Sequence, residues 1–411
     1  MYSEELKELG LVIFRQENAT GGVKPHVSVR FKPKGGNLLT FAIDTTRTPA
    51  KSKTQPDAYL ITHAHSDHYG KSAMLSEKSW CSKETAKALE IRYEKEYKGH
   101  VFELGETVNI GGAEVQTIDV GHTPGSTAFF WENEVGTKIL VTGDVKDPAR
   151  LPKCDVLLTE ASYGDPGDMG CYFKDDINGL HQVLLSHVGA KKVAFGAYEF
   201  GKSQKAVSLI REMGYTGPIA MNEKTLALTE SFLKNAGELR QIQETDGEFA
   251  IMKYTASYQK SETVISKAES GTQIKTQYVS EKIEMETRIE KKVQGAGEQT
   301  EESRPAGIQT EKLETCGCDI FIVPMHHLAG LGPNIRKYVL TCRTDAPFEN
   351  IRLSDHLDVD GLTQMVKQID PKITVIYHPN DSPRTDRFAQ HLEKNGFKAY
   401  SISQIKNIMA K

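Results

Sequence analysis

Apolar and polar residues alternate along the first forty-odd positions with the period of two that a half-buried strand requires. Leu11–Arg15 opens the series, and Val27, Val29 and Phe31 then share one face. Lys34-Gly35-Gly36-Asn37 turns the chain into Leu38–Asp44. Ala58–Ile61 is a short unbroken apolar run, the signature of a buried strand. Gly70–Leu75 and Lys83–Tyr93 carry helical spacing. Val101–Phe102, Val108–Ile110, Glu114–Val120 and Ala128–Trp131 read as short strands parted by Gly turns, and Ile139–Thr142 and Val156–Thr159 as two more. Farther on, strands at Lys191–Phe195 and Pro218–Met221 alternate with helices at Gln204–Met213 and Lys224–Asn235. Asp319–Pro324 and Ile373–Tyr377 are again buried strands, with closing helices at Phe388–Asn395 and Ile402–Ala410. This order predicts an α/β protein: a strand-rich half of two packed sheets with helices outside, followed by a stretch of alternating strands and helices.

The pattern fails between 241 and 315. Glu, Lys, Thr and Gln dominate there, Gly and Pro interrupt Gly295–Gly307, and no face stays apolar. Such a tract is expected to be a solvated or disordered insertion with little part in the core. The remainder suffices for two cores in a chain of 411 residues. No apolar run is long enough to span a bilayer and no signal-peptide pattern is seen, and a cytoplasmic protein is expected from its cysteines. The six Cys are scattered without disulfide-framework spacing, which fits a reducing compartment, and Cys316-Gly317-Cys318 reads as ordinary thiols. A net charge of −4 gives no global sign of nucleic-acid binding, although metal ions would add positive charge locally.

Candidate chemistry concentrates in Thr62-His63-Ala64-His65-Ser66-Asp67-His68, directly behind the Ala58–Ile61 strand. His63 and His65, two apart at a strand end, can point one way while the turn swings Asp67 and His68 toward a second point. Two adjacent metals are then within reach of one segment, through the nitrogen and oxygen donors that zinc takes. This motif resembles the signature of the metallo-β-lactamase fold, and the chain supplies, in order, what that resemblance requires. Leu38–Asp44 is a strand ending in Asp44, Gly121-His122-Thr123-Pro124-Gly125 offers His122, and Ile139–Asp144 delivers Asp144.

Thr159-Glu160-Ala161-Ser162-Tyr163-Gly164 is similar to the first motif of the β-CASP nucleases, a branch in which a second domain follows that motif. The resemblance implies a metallo-β-lactamase αβ/βα sandwich with an inserted α/β β-CASP cassette. Residues 1–165 would form the first part, 166–350 the cassette (holding the 241–315 insertion) and 351–411 the segment that completes the sandwich. Leu353-Ser354-Asp355-His356 resembles the second motif. Ile373–His378 delivers His378 as in the third, with Pro379 where the family has Gly.

By resemblance, His63, His65 and His122 hold one zinc, Asp67, His68 and His378 the other, and Asp144 bridges, giving two Zn²⁺ per chain. Asp44 orients a ligand. Asp67 also belongs to the catalytic set, and His356, held by Glu160, protonates the leaving oxygen. The implied activity is hydrolysis of RNA phosphodiesters. A DNA exonuclease of the repair or ligase-associated type is the alternative, toward which L-S-D-H-x-D-x-D-G-L at 353–362 leans. A non-catalytic scaffold is the third reading, and the complete ligand set argues against it. The expected partner is a nucleic acid, RNA before DNA, with no membrane; a homodimer is allowed. Gly196–Ser203 fits G-x-x-x-x-G-K-S, but Tyr198, Glu199 and Phe200 put bulk and charge where a phosphate loop must close. The same stretch resembles a recurrent cassette segment, which leaves Lys202 as a substrate-phosphate contact or a turn lysine. His100, His181, His187, His326 and His327 have no ligand-like company, and Asp358 is a cap.

Overall fold

The computed structural model describes residues 2–18, 22–49, 55–189, 191–242, 317–379 and 382–404. The polar tract read at 241–315 lies almost wholly outside them, as do Cys316 and the expected closing helix beyond residue 404.

Strands β1 (Leu11–Phe14), β2 (Val27–Phe31), β3 (Leu39–Ile43), β4 (Ala58–Leu60), β5 (Ser79–Ser82) and β6 (His100–Phe102) form a first sheet in that order. Pairing is antiparallel through β3 and parallel from β3 to β6. Strands β7 (Thr107–Ile110), β8 (Ala113–Asp119), β9 (Thr127–Glu132) and β10 (Lys138–Val141) run antiparallel in the second sheet, and β11 (Val156–Glu160) lies parallel to β10. The chain then builds a third sheet from β12 (Lys192–Ala197), β13 (Ile219–Met221), β14 (Leu239–Gln241), β15 (Ile320–Pro324), β16 (Ile335–Leu340) and β17 (Glu349–Ile351). Its order is β14-β13-β15-β12-β16-β17, and every pairing is parallel. Only afterwards do β18 (Ile373–His378) and β19 (Ala399–Ser401) return to extend the second sheet beside β11.

The first two sheets close on one apolar layer. Phe31, Phe41, Ile43 and Leu60 from the first meet Phe129, Trp131, Val141, Leu158, Val375 and Tyr377 from the second. Phe31, Phe41 and Trp131 sit with ring centroids 4.9–5.5 Å apart. Each such aromatic contact adds about 0.5–1.5 kcal/mol beyond burial. Strands β11 and β18 are buried along their whole length, as parallel strands covered on both faces must be. Helices Val359–Ile369 and Pro383–Lys394 cover the outer face of the second sheet. Leu180, Leu184, Val207 and Ile210, from helices Ile177–His187 and Lys202–Glu212, cover one face of the third sheet.

Helix Ile177–His187, strand β16 and helix Val359–Ile369 are elements that the sequence reading leaves unnamed. In β16, Arg336 and Lys337 break the apolar run, because only the later half of the strand is fully covered.

Candidate metal centre

The carboxyl ends of β3, β4, β8, β10, β11 and β18 come together at one edge of the two-sheet sandwich, the place where parallel strands present their loops to ligands. After β3, Asp44 adopts a left-handed φ of 45°, which Asp accepts at little cost. After β4, Ser66–His68 forms one tight 3₁₀ turn ended by Tyr69 at φ 55°, so Asp67 and His68 swing away from His63 and His65. Gly143 (φ 62°) lets the turn before Asp144 lie against Thr62. A Cβ there would stand 2.6 Å from the Thr62 Cβ, so no larger residue fits.

Every ligand expected from the sequence reaches this edge. His63, His65, His122 and Asp144 form one cluster, and Asp67, His68 and His378 a second, each with donor atoms within 4.8 Å of one another. Asp144 stands between them. Its Oδ2 lies 3.6 Å from His63 Nε2, 3.5 Å from His122 Nε2 and 3.2 Å from His68 Nε2, while its Oδ1 lies 3.8 Å from His378 Nε2. Asp67 Oδ2 is 3.6 Å from His378 Nε2 and keeps 62% of its side chain exposed, so it reaches into the opening.

The donor chemistry fits two divalent cations. His63 Nε2 and Asp144 Oδ1 are buried and make no hydrogen bond, a costly state for polar atoms that a cation relieves. Burial lowers the pKa of His63, His65, His122 and His378, so these imidazoles are neutral and have a lone pair to give. Burial works against a charged His68 too, but Asp144 and Asp44 outweigh it and raise its pKa well above the ordinary value. Burial would likewise raise Asp144, yet His68, His378 and His356 together hold its carboxyl well below the usual range. Nitrogen and carboxylate donors around a shared Asp are the set of a metal-dependent hydrolase.

Three of the imidazoles, His65, His68 and His122, are propped from behind. His68 Nδ1 lies 2.9 Å from Asp44 Oδ2, and Asp44 accepts from the Thr62 N–H and hydroxyl at 2.8 Å each. His65 Nε2 donates to the Phe200 carbonyl at 3.0 Å and His122 Nδ1 to the Asp355 carbonyl at 2.8 Å. His356 Nδ1 meets both oxygens of buried Glu160, at 2.9 and 3.0 Å, and lies 4.0 Å from Asp144 Oδ2. Burial opposes charge on His356, but Glu160 and then Asp144 raise its pKa to about 9. Lys202 is 2% exposed, with Nζ 3.8 Å from Asp355 Oδ1. Within the segment that resembles a phosphate loop, Phe200 and Lys202 thus turn inward.

Three of these groups escape sequence reasoning. Phe200 and Asp355 act through main-chain carbonyls, which leave no mark on residue type. His26 is the third: buried at φ 58°, it packs against His68 and His378 at 5.2 and 5.1 Å. A single His at the start of an apolar strand gives no signal. Asp358 caps helix Val359–Ile369 by accepting from the Gly361 N–H, and His326 and His327 are exposed.

Residues 37–204 match the family model described as a beta-lactamase superfamily domain, and this stretch holds every donor of the first cluster. The chain carries a metallo-β-lactamase-fold domain. With β12–β17 inserted after β11, its architecture is that of the fold bearing a β-CASP-like subdomain. The chain is 26% identical over 220 residues to an RNase J-like protein of Methanocaldococcus jannaschii, covering 45% of this chain and 51% of that one. It is 27% identical over 193 residues to a DNA cross-link repair 1A protein of Gallus gallus, covering 44% of this chain and 20% of that one. The metallo-β-lactamase-fold chain therefore spans about half or less of the length of these two relatives. A protein of unknown function from Enterococcus faecalis V583 shares the fold at a TM-score of 0.56 and 12% identity, over 95% of this chain and 97% of that one.

Proposed function

We propose that this protein is a metal-dependent nuclease that holds two zinc ions and hydrolyses DNA phosphodiesters. The observation that carries the reading is the His356–Glu160 pair set beside the Asp144-bridged donor clusters. A carboxylate-backed imidazole beside the clusters suits a phosphodiester, whose leaving alkoxide needs a proton as the P–O bond breaks. Two divalent ions supply a nucleophilic water and neutralise charge on the phosphoryl oxygens. Asp67, open to solvent at the mouth, takes a proton from the attacking water as its oxygen bonds to phosphorus. Glu160 fixes the His356 tautomer through Nδ1, which leaves Nε2 to protonate the departing oxygen as the P–O bond breaks.

DNA is favoured over RNA because relatives named for DNA cross-link repair, for DNA ligation and as a 5′ exonuclease align with this chain. RNA is the second reading, supported by the RNase J-like relative and a ribonuclease. End-labelled DNA and RNA of one sequence, incubated with the zinc-loaded protein, decide between them; cleavage of RNA alone establishes the second. His356→Ala is expected to retain both metals while turnover on a natural strand falls by about two to four orders of magnitude. Methyl p-nitrophenyl phosphate, with a good leaving group, should suffer less. Loss of a metal in this variant, or an equal loss on both substrates, removes the acid from the mechanism.

A further inference from the structure

Tyr198 and Phe200 flank Glu199 on the loop after β12, and the structure treats the two rings oppositely. Phe200 is 1% exposed and packs against Phe232, 5.2 Å away. Its burial anchors the loop, and its carbonyl holds His65. Tyr198 is 49% exposed, the one aromatic among the exposed large hydrophobic side chains of the described residues. It stands beside the first cluster, its ring centroid 6.0 Å from that of His65 and tilted 41° to it. The Lys202 ammonium lies 5.1 Å from its centroid. The Tyr198 carbonyl accepts from both the Ser203 N–H and hydroxyl, at 3.2 and 2.7 Å, so the residue is fixed at its backbone. A flat ring on a fixed stretch of backbone thus stands at the lip of a metal centre, about half open to solvent.

We propose that Tyr198 is the stacking platform for the nucleobase next to the scissile phosphate, so that the site takes a strand whose terminal base is unpaired. This rests on the nuclease reading and adds a specificity determinant to it. A base can lie on the ring only after leaving its own stack, and an unpaired end meets that condition at least cost. Every base has a π-face, so the platform is indifferent to sequence. Because the backbone that carries the ring is already fixed, binding need order only the side chain.

Tyr198→Ala is expected to raise KM for a single-stranded oligonucleotide by about 5- to 100-fold with kcat little changed. Tyr198→Phe and Tyr198→Trp, which keep a ring, should bind close to wild type. An abasic site beside the cut should raise the wild-type KM by a similar factor and add nothing further in Tyr198→Ala. The binding readout is 2-aminopurine at that position: its fluorescence should be quenched by wild-type protein and not by Tyr198→Ala. A wild-type KM in Tyr198→Ala, or additive effects of the abasic site and the variant, overturns the platform and leaves the nuclease reading standing. If the wild-type protein cuts no nucleic acid, the nuclease reading falls by itself, and the quenching comparison alone decides the fate of the platform.

Discussion

The two donor clusters are built from the same residue types but are braced from different parts of the chain. In the second, His68 leans on Asp44, which is itself held by Thr62, with the Tyr377 hydroxyl 3.4 Å away. His26 packs against His68 and His378 from the same side. All these supports belong to the two-sheet sandwich. In the first, His65 and His122 lean on the carbonyls of Phe200 and Asp355, one in the cassette and the other in the segment returning from it. A carboxylate behind an imidazole orients it and also raises its basicity; a carbonyl mainly orients it. The second cluster is thus secured by charge within one body of the fold. The first takes one of its braces, the Phe200 carbonyl behind His65, from the cassette.

Removing the group that both clusters share gives the largest effect. Asp144→Asn should abolish turnover and leave the protein with less than one metal per chain by elemental analysis; retention of both ions would mean that Asp144 is no bridge. Asp44→Asn comes next, since Asn tolerates the left-handed backbone at that position but lacks the carboxylate charge. It should weaken one of the two metals about 10- to 100-fold in a chelator titration. Anomalous scattering should place the loss at the Asp67–His68–His378 cluster, and loss from the other cluster breaks the comparison. The smallest effect is expected of Gly201→Ala. Gly201 sits at φ 86°, and an added Cβ would stand 2.8 Å from Thr123 Cγ2, so the loop must shift and carry the Phe200 carbonyl with it. The first cluster should then lose about tenfold in metal affinity with the second unchanged. Equal weakening of both would show that the cassette does not brace one cluster selectively.

The residues of the two donor clusters are legible in the sequence because most fall in a short polar motif behind an apolar strand. His63 through His68 need one turn to be sorted into two clusters, and Asp144 and His378 follow unbroken apolar runs. Their supports are not legible in the same way. Asp355 and Phe200 serve through backbone atoms that any residue has, and His26 depends on a positive φ that the sequence does not announce. In the cassette, β13 and β15 stand out as apolar segments, whereas β16 loses its pattern to Arg336 and Lys337. Helix Val359–Ile369 carries apolar residues at 359, 362, 365, 366 and 369, spacing that does announce a helix. There the signal is present but is overshadowed by the acidic motif before it.

The position of β18 has a consequence for how the molecule is made. This strand lies between β11 and β19 and completes both the second sheet and the metal centre, yet the ribosome delivers it only after the whole cassette. Until then β11, a strand that is buried along its whole length in the finished fold, presents a free edge of N–H and C=O groups. A half-made chain in that state can pair with the same edge of a neighbouring nascent chain, the risk that polysomes impose on interrupted sheets.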